Sequence, residues 1–276
     1  MKKQWDIGPD LEDAADRIAA RGGRLGKPLR LVSETDSTND DAKVGAREGA
    51  PHGATWVAET QRRGRGRQGR EWISPRGENL LFSVLLRIDC PPARVPQLSL
   101  VCGLAVRDAA ARAIGDDERV LVKWPNDVVV VPREGKARGF RKIAGILVES
   151  SLSGSKVDHV VVGVGLNVHT RSFPKEIAAT ATSIALETDR APNRADILAD
   201  VLWSIDHDIE HVAAYGLGLV HGRLSKHDAL FGREIEADDG LVGVAHGIDT
   251  EGRLIVERKG GSVVKVSSGE VRVRVV

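Results

Sequence analysis

Four apolar runs follow one another between Arg119 and Val168 with no helical pattern between them. The runs read RVLVKW, DVVVV, KIAGILVESSL and DHVVVGVGLNV. Valine and isoleucine dominate them, and turn residues such as those at 124–127 separate them, which is typical of strands. Consecutive strands with short links pair in an antiparallel or mixed sheet, since a parallel pair needs a long crossover. The sequence therefore predicts an α+β fold with a central sheet and packed helices.

The rest of the first 228 residues supplies the helices and shorter strands. Apolar residues at helical spacing predict helices over residues 10–21, 94–114 and 194–214, and another that ends near residue 48. Residues 36–39 (DSTN) offer caps for that shorter helix. Further strands are predicted at 29–33, 55–58 and 79–88.

The last part of the chain has a different texture. After Phe231 it reads as short strands separated by glycine turns at nearly regular spacing. This pattern predicts a small all-β module, a barrel of SH3-like size. We therefore expect two domains, at residues 1–228 and 229–276.

Charge and cysteine content narrow the class of protein. The chain has 40 Lys and Arg against 39 Asp and Glu, so it has no overall field that favours DNA or an anionic membrane. It has two cysteines, Cys90 and Cys102, which fits a reducing compartment and argues against a disulfide framework. The sequence shows no secretory signal and no apolar run long enough to span a bilayer. These features favour a soluble cytoplasmic protein.

The stretch QRRGRGRQGREW, residues 61–72, holds five arginines and three glycines. It contains Gly64-x-Gly66-x-x-Gly69, which a dinucleotide site would need before a helix, but Pro75 and Gly77 follow and forbid one. An RNA-binding tract would lie in a disordered polar segment, whereas this stretch lies between two strands. A solvated surface loop remains an alternative. Glycines that expose backbone amides among guanidinium groups favour an anion-binding loop.

Other candidate sites are weaker when each is taken alone. His207 and His211 are four residues apart on a helix and could share a metal, but they lie off the apolar stripe and a solvated face is favoured. Neither cysteine belongs to a nucleophile motif. Lys142 opens a strand and could be a surface residue. Three polar residues could equally be turn residues: Asn126, Asp127 and Asn167.

Taken together, these segments resemble the biotin–protein ligases. The resemblance covers residues 30–276, and several motifs in the correct order make it highly specific. In chain order they are Ser37-Thr38-Asn39, AETQRRGRGRQGREWISPRGENLLFSVLLR, KWPND, KIAGILVE, GVGLNV, FP at 173–174, ATSI at 181–184, and the C-terminal GID to SGEV. The implied fold is a class II aminoacyl-tRNA synthetase-like sheet with helices, followed by the SH3-like barrel.

The resemblance implies a reaction in two steps. The carboxylate of biotin attacks ATP to give biotinyl-5′-AMP and pyrophosphate, and a lysine amine of a biotin carboxyl carrier domain then displaces AMP. The carrier would belong to acetyl-CoA carboxylase or another biotin-dependent carboxylase, and Mg²⁺ would accompany ATP. DNA and membranes are not expected as partners, and a homodimer is left open. No enzyme nucleophile is required, in keeping with the positions of the cysteines.

The resemblance also implies roles for individual residues. Lys142 is expected to be the main catalytic residue, acting on the carboxylate and the α-phosphate, with Arg67 beside it. Biotin binding is implied for Ser37, Thr38, Asn39, Gln61, Arg65, Gly66, Arg67, Lys142, Gly145 and Gly163. Nucleotide and adenylate binding is implied for Arg67, Arg70, Trp72, Asn126, Lys142 and Asn167. Asp127 is a candidate magnesium ligand, and Arg62 and Arg63 are expected to be solvated.

The sequence departs from the family pattern in three places. Gln68 stands where the family often has arginine, and the link over 128–141 is longer and more basic than usual. The segment before Pro28 is too short for a winged-helix domain, so we expect a ligase that is not also a repressor. The nearest alternatives in fold are the lipoate ligases, which lack the G-R-G-R-x-G-R run, and the octanoyltransferases, which use a cysteine nucleophile.

Overall fold

The computed structural model describes residues 7–133 and 139–274, so part of the basic link over 128–141 lies outside the described residues. The helices are α1 (Ala14–Arg21), α2 (Thr38–Arg47), α3 (Val95–Ile114), α4 (Ile184–Glu187), α5 (Arg194–Tyr215) and α6 (His221–Lys226). The strands are β1 (Leu29–Val32), β2 (Thr55–Ala58), β3 (Asn79–Leu86), β4 (Val120–Lys123), β5 (Asp127–Val130), β6 (Arg141–Ser153), β7 (Lys156–Asn167), β8 (Glu234–Ala237), β9 (Val242–Ile248), β10 (Leu254–Glu257), β11 (Val263–Val266) and β12 (Val271–Val273).

The first seven strands form the main sheet, in the order β1-β2-β3-β7-β6-β5-β4. β1 and β2 are parallel and are joined through α2, whereas every other neighbouring pair is antiparallel. The long β6–β7 hairpin lies near the centre and pairs with β3 on one side and β5 on the other. The mixed sheet predicted from consecutive strands is therefore confirmed.

Two long helices, α3 and α5, pack together and α3 covers one face of this sheet. The apolar residues whose spacing predicts these helices are all buried: Leu98, Val101, Ala105, Ala109, Leu198, Val201, Leu202, Ile205, Ile209 and Val212. Each fully buried Leu, Ile or Val side chain contributes about 1.5–3 kcal/mol of transfer free energy. On the opposite face the short helix α2 packs over β3 and β7. No helix in the described ranges is long and apolar enough to cross a membrane.

One predicted helix start and one predicted cap need correction. Residues 10–13 form turns and α1 begins at Ala14, because the Asp10 carboxylate accepts hydrogen bonds from Arg194 instead of capping a helix. Helix α2 begins where expected, but the Ser37 side chain makes no capping hydrogen bond. The Ser37 carbonyl oxygen accepts from the amides of Asp40 and Asp41 instead. The Ser37 hydroxyl is thereby left for another role.

The C-terminal strands form a second, five-stranded antiparallel sheet in the order β11-β10-β9-β8-β12. Alternate residues point into its core, among them Ile235, Ala245, Leu254 and Val256, all of which are fully buried. The all-β character predicted for this part of the chain is confirmed. Polar contacts to the rest of the structure include those of Trp124, whose Nε1 donates to the Gly252 carbonyl at 3.0 Å, and of Gln97 on α3, whose Nε2 donates to the Glu251 carbonyl at 3.2 Å.

A largely buried carboxyl group lies in the segment that connects the two sheets. Asp228 follows α6 and forms a bridge with Val122 at the edge of the main sheet. One of its oxygens accepts from the Leu230 amide at 2.8 Å, while Oδ2 has no hydrogen-bond partner among the described residues. Burial raises the pKa of Asp228 to about 6, although backbone hydrogen bonds from Leu230 and Phe231 act in the opposite direction.

Asp228→Asn is therefore expected to stabilise the protein more at pH 8 than at acidic pH. The folded-state pKa lies above the unfolded-state value of about 3.9, so the carboxyl contributes stability that is present below about pH 4 and is lost as pH rises through about 6. The free energy of unfolding of the variant should exceed that of the wild type by about 2 kcal/mol more at pH 8 than at about pH 4.5. Urea unfolding at both pH values measures this, and a difference independent of pH would contradict it.

Candidate active site

A cavity of about 1020 Å³ opens on the face of the main sheet opposite α3. It is at the upper end of the range typical of small-molecule sites. Its walls come from the start of α2, the loop over 61–72, the 123–129 turn, strands β6 and β7, the segment near residue 180 and the last strand of the second sheet. The predicted site residues that line it are Ser37, Thr38, Asn39, Gln61, Arg65, Gly66, Arg67, Arg70, Trp72, Asn126, Asp127, Lys142, Gly145 and Gly163.

One end of the cavity carries a network of uncharged polar groups. The Gln61 side-chain oxygen accepts from the Thr38 amide at 2.8 Å and lies 3.1 Å from the Thr38 hydroxyl. Ser83 Oγ lies 2.7 Å from the Thr38 hydroxyl and 2.5 Å from Asn39 Oδ1. The Asn39 amide nitrogen donates to Glu149 at 2.7 Å. These bonds fix the orientation of each amide and hydroxyl, which suits a ligand with its own donors and acceptors.

The glycine-arginine loop is folded tightly upon itself. The Gly66 amide donates to the Arg70 carbonyl at 2.7 Å, and the Trp72 amide donates to the Gly64 carbonyl at 2.9 Å. A Cβ at Gly64 would lie 2.6 Å from the Trp72 carbonyl oxygen, so this approach requires glycine. A short 3₁₀ turn (Arg67–Gly69) follows, and the described chain then continues without an α-helix to β3. The loop therefore lacks the helix that a dinucleotide site requires.

The arginines of this loop divide into two groups. Arg65 Nη2 lies 2.5 Å from Asp40, Arg67 Nη1 donates to Asn126 Oδ1 at 3.3 Å, and Arg70 forms an ion pair with Glu270; all three line the cavity. Arg62 pairs with Asp36 at 2.7 Å outside the cavity, and Arg63 is also exposed and absent from its walls. This division agrees with the expectation that Arg62 and Arg63 are solvated.

Lys142 is held from three directions at the start of β6. Its ammonium group forms an ion pair with Asp127 at 2.6 Å and lies 5.5 Å from the centre of the Trp72 ring. Its backbone amide donates to the Thr180 carbonyl at 2.6 Å, and its carbonyl accepts from the Thr182 amide at 2.9 Å. The cation is thus pre-positioned in the cavity, with 38% of the side chain still exposed.

Glycines make the floor between the two polar regions unusually flat. Gly145 of β6 pairs with Gly165 of β7, and Gly163 lies two residues along. A Cβ at Gly165 would lie 2.5 Å from the Trp72 ring, and one at Gly163 would lie 2.0 Å from Asn39 Oδ1. Trp72 therefore packs directly on the strand backbone, while its Nε1 has no partner among the described residues. The floor can accept a flat ring where a side chain would obstruct it.

The second sheet completes the cavity. Glu270 and Arg272 belong to its walls, and Glu270 binds Arg70 of the glycine-arginine loop. Gln68 also reaches this module, with its Nε2 3.5 Å from Asp238. Sequence reasoning gave no site role to Glu270, Ser83 or Glu149. All three lay inside quoted motifs, Ser83 in the run that ends in LLFSVLLR, Glu149 in KIAGILVE and Glu270 in SGEV. The contacts that give them a role join distant parts of the chain.

Comparisons with known proteins agree with this geometry. Residues 32–167 match the model of the biotin/lipoate A/B protein ligase family, and residues 230–274 match that of the biotin protein ligase C-terminal domain. A biotin–[acetyl-CoA-carboxylase] ligase of Mycobacterium tuberculosis is 34% identical over 270 residues, which are 95% of this chain and 96% of that protein. The chain belongs to the biotin protein ligase family. As a ligase it is an enzyme.

Two further relatives illustrate the range of similarity. The bifunctional ligase/repressor BirA of Bacillus subtilis is 29% identical over 95% of this chain and 78% of its own length. Among solved structures, a biotin protein ligase from Aquifex aeolicus in complex with biotin and ATP has a TM-score of 0.72 at 29% identity, over 89% of this chain and 99% of that chain. The predicted fold, a mixed sheet with helices and a small C-terminal β-module, is confirmed.

One predicted site residue of the ligase does not line the cavity. Asn167 is buried at the end of β7, and its amide nitrogen donates to the Thr182 carbonyl at 3.0 Å. The Thr182 amide in turn binds the Lys142 carbonyl, so Asn167 supports the segment that holds Lys142. In this structure Asn167 contacts the site through Thr182, and nucleotide binding by Asn167 itself stays a prediction.

The weaker candidates remain outside the site. Cys90 and Cys102 are buried away from the cavity walls, and burial raises the pKa of both thiols, which disfavours a thiolate nucleophile. His207 stacks on Trp203 with ring centres 5.6 Å apart, and His211 contacts Tyr215. Within residues 7–133 and 139–274, no group of three or more His, Cys, Asp or Glu side chains forms a metal cluster.

A buried guanidinium group fixes both ends of the glycine-arginine loop. Arg194 Nη1 donates to Glu59 at 2.6 Å, just before the loop, and to the Asn79 carbonyl at 3.2 Å, just after it. Arg194 also binds Asp10 at 2.6 Å, and Arg194 and Glu59 are 1% and 2% exposed. Burial alone would raise the pKa of Asp10, but hydrogen bonds from Arg194 and His169 lower it to about 2.

We expect Arg194→Met to lower the free energy of unfolding by about 3–5 kcal/mol, because it leaves the buried Glu59 carboxylate without its partner. Arg21→Met, which breaks an exposed pair with Asp200, should cost less than about 1 kcal/mol and serves as the control. Chemical denaturation measures both values. The double variant Arg194→Met, Glu59→Leu should recover part of the lost free energy of unfolding. Equal decreases for Arg194→Met and Arg21→Met would contradict the stabilising role of the buried Arg194 contacts.

Proposed function

We propose that the ligase joins biotin to AMP from ATP and then transfers the biotinyl group to a lysine of a biotin carboxyl carrier domain. The observation that carries this proposal is the position of Lys142. Its ammonium group lies in one cavity with an uncharged polar network and with the cations of the glycine-arginine loop. A carboxylic acid with a neutral polar ring system and a nucleotide polyphosphate match these two environments. The similar Aquifex aeolicus ligase in complex with biotin and ATP supports the pairing.

The polar end of the cavity suits the ring system of biotin. Its ureido group has two N–H donors and a carbonyl acceptor, and the hydroxyl and amide groups of Ser37, Thr38, Asn39 and Gln61 offer complementary partners. The absent side chains of Gly145 and Gly163 leave room for Lys142, Trp72 and Asn39, which would thereby lie close to the bound rings. Arg65 and Gly66 would close the loop over the bound ring. The biotin tail would then lead its carboxylate toward Lys142.

The first step brings a carboxylate up to a polyanion. A biotin carboxylate oxygen forms a bond to the α-phosphorus, while the bond from that phosphorus to the bridging oxygen breaks and pyrophosphate leaves with the electron pair. Lys142 and Arg67 would offset the charge on the carboxylate and the α-phosphate. Arg70, Trp72, Asn126 and Asn167 are proposed for the nucleotide end, Asn167 through its support of the 180–182 segment.

The available ligands fit magnesium held mainly by the nucleotide. Mg²⁺ is commonly bound through one or two carboxylates together with substrate phosphates, without an all-protein cage. Asp127 offers one carboxylate in the cavity, beside Lys142. We propose Asp127 as the ligand, with magnesium neutralising part of the phosphate charge when bound.

The second step needs no enzyme nucleophile. The carrier lysine amine attacks the carbonyl carbon of the mixed anhydride, AMP leaves with the electron pair, and the amine loses a proton. The anhydride would hydrolyse in water, so the loop must shield it until the carrier arrives. The carrier is proposed to belong to acetyl-CoA carboxylase or a related biotin-dependent carboxylase.

Purified protein with ATP and Mg²⁺ is expected to release pyrophosphate when biotin is added and to label a biotin carboxyl carrier domain. Lipoate serves as the competing acid, because a neutral polar pocket built for a ureido ring discriminates against a dithiolane. Coupled pyrophosphate detection and mass spectrometry of the carrier measure the two steps. Release of pyrophosphate with lipoate and not with biotin would overturn the proposal.

Lys142→Ala should lower the rate of adenylate formation by at least about 100-fold, since it removes a preorganised cation from the reacting oxygens. Lys156→Ala, an exposed lysine at the β6–β7 turn, is the matched control and should retain the wild-type rate. Biotin-dependent pyrophosphate release measures both, and unfolding midpoints report whether they stay folded. A folded Lys142→Ala variant with unchanged turnover removes Lys142 from catalysis.

Gly163→Ala should raise the KM for biotin by about tenfold or more with a smaller change in the KM for ATP. The added Cβ would lie 2.0 Å from Asn39 Oδ1 and must displace that side chain from its hydrogen bonds to Ser83 and Glu149. Gly218→Ala, where a Cβ has no neighbour within 4 Å, is the control. An equal rise in both KM values would argue against a biotin-specific role for this end of the cavity.

A further inference from the structure

Lys123, the last residue of β4, faces the same cavity as Lys142. The preceding Val122 packs against Gly103 of α3 on the helix-covered face of the sheet. Because successive side chains of a strand point to opposite faces, Lys123 points to the cavity face, and it is one of the lining residues. Its register partner across β4 and β5 is Asp127. No role was predicted for Lys123 beyond its membership of the KWPND motif.

The ammonium group of Lys123 has no counter-ion of its own. Lys142 pairs with Asp127 and Arg70 pairs with Glu270, whereas Lys123 forms no ion pair with any residue that the structure describes. Burial lowers its pKa; Lys142 and Arg70 lower it further, against the opposing effect of Asp127 and Glu270. A desolvated cation without a partner costs free energy until an anion reaches it.

We infer that Lys123 binds the β- and γ-phosphates of ATP and stabilises pyrophosphate as it leaves; the inference rests on the proposed function. Three cations, Lys123, Lys142 and Arg70, act on one another in this part of the cavity. Pyrophosphate carries several negative charges in a small volume and matches a site where Lys123 has no carboxylate partner of its own. A lysine ammonium of the carrier would instead be repelled there.

The role belongs to one step only. As the bond between the α-phosphorus and the bridging oxygen breaks, the electron pair passes to the pyrophosphate, and negative charge grows on its oxygens. An ammonium group at those oxygens stabilises the transition state of adenylation more than the bound ATP. After pyrophosphate has left, the adenylate has no β- or γ-phosphate, so transfer to the carrier does not require Lys123.

The two half-reactions separate this role from a general loss of structure. Lys123→Met is expected to lower kcat/KM of adenylation by about 100-fold, and to leave transfer from supplied biotinyl-5′-AMP within about threefold of wild type. Lys123→Arg keeps the charge and should recover adenylation to within about tenfold. Lys156→Met controls for loss of an exposed lysine. Equal losses in both half-reactions, or a loss confined to transfer, would overturn the inference.

Product inhibition tests the contact itself. Pyrophosphate should inhibit adenylation by Lys123→Met at least about tenfold less strongly than it inhibits the wild type, whereas inhibition by AMP should be unchanged. An unchanged pyrophosphate inhibition constant would place Lys123 away from the leaving group. If the wild type itself releases no pyrophosphate with biotin, the proposed function fails; if the wild type is active and Lys123→Met is equally active, only the present inference fails.

Discussion

The buried guanidinium of Arg194 holds the ligase site together, because one side chain binds both ends of the glycine-arginine loop. Its partner Glu59 directly follows β2 and its partner Asn79 begins β3, the two strands between which the loop projects. These contacts fix the segments on both sides of the loop to the sheet and to α5. A site whose groups must keep their positions needs such support from buried contacts beneath it.

Nearby carboxylates neutralise much of the positive charge of the cavity. Arg65 pairs with Asp40, Arg70 with Glu270, and Lys142 with Asp127. These pairs are partly exposed, so each contributes only about 0–1 kcal/mol to stability and is readily exchanged for a phosphate or carboxylate of a ligand. The pairs hold these three cations in position. Lys123, Arg67 and Arg272 also line the cavity and form no ion pair with any residue that the structure describes.

Local patterns in the sequence predicted the scaffold well, because strand and helix periodicity records burial directly. The long helices α3 and α5 and the strand β2 (Thr55–Ala58) were predicted within one residue. The exposure of Arg62 and Arg63 outside the cavity was expected from the family resemblance and not from a local pattern. Helix starts were less predictable, because they depend on distant contacts. The Asp10 carboxylate accepts a hydrogen bond from Arg194, which lies 184 positions away in the chain. No local pattern distinguishes a buried, triply bonded arginine from the exposed arginines around it.

The same limit explains why the C-terminal module was predicted as a fold but not as part of the site. Its strands are evident from alternation and glycine turns, but Glu270 enters the cavity only because β12 lies at the edge of its sheet beside the glycine-arginine loop. Trp124 and Gln97 bind the Glu251–Gly252 turn and hold the module in that position. The KWPND turn thus contributes on both sides: Trp124 seats the second sheet, while Lys123, Asn126 and Asp127 face the cavity. A single tight turn therefore couples the placement of the module to the charge distribution in the cavity.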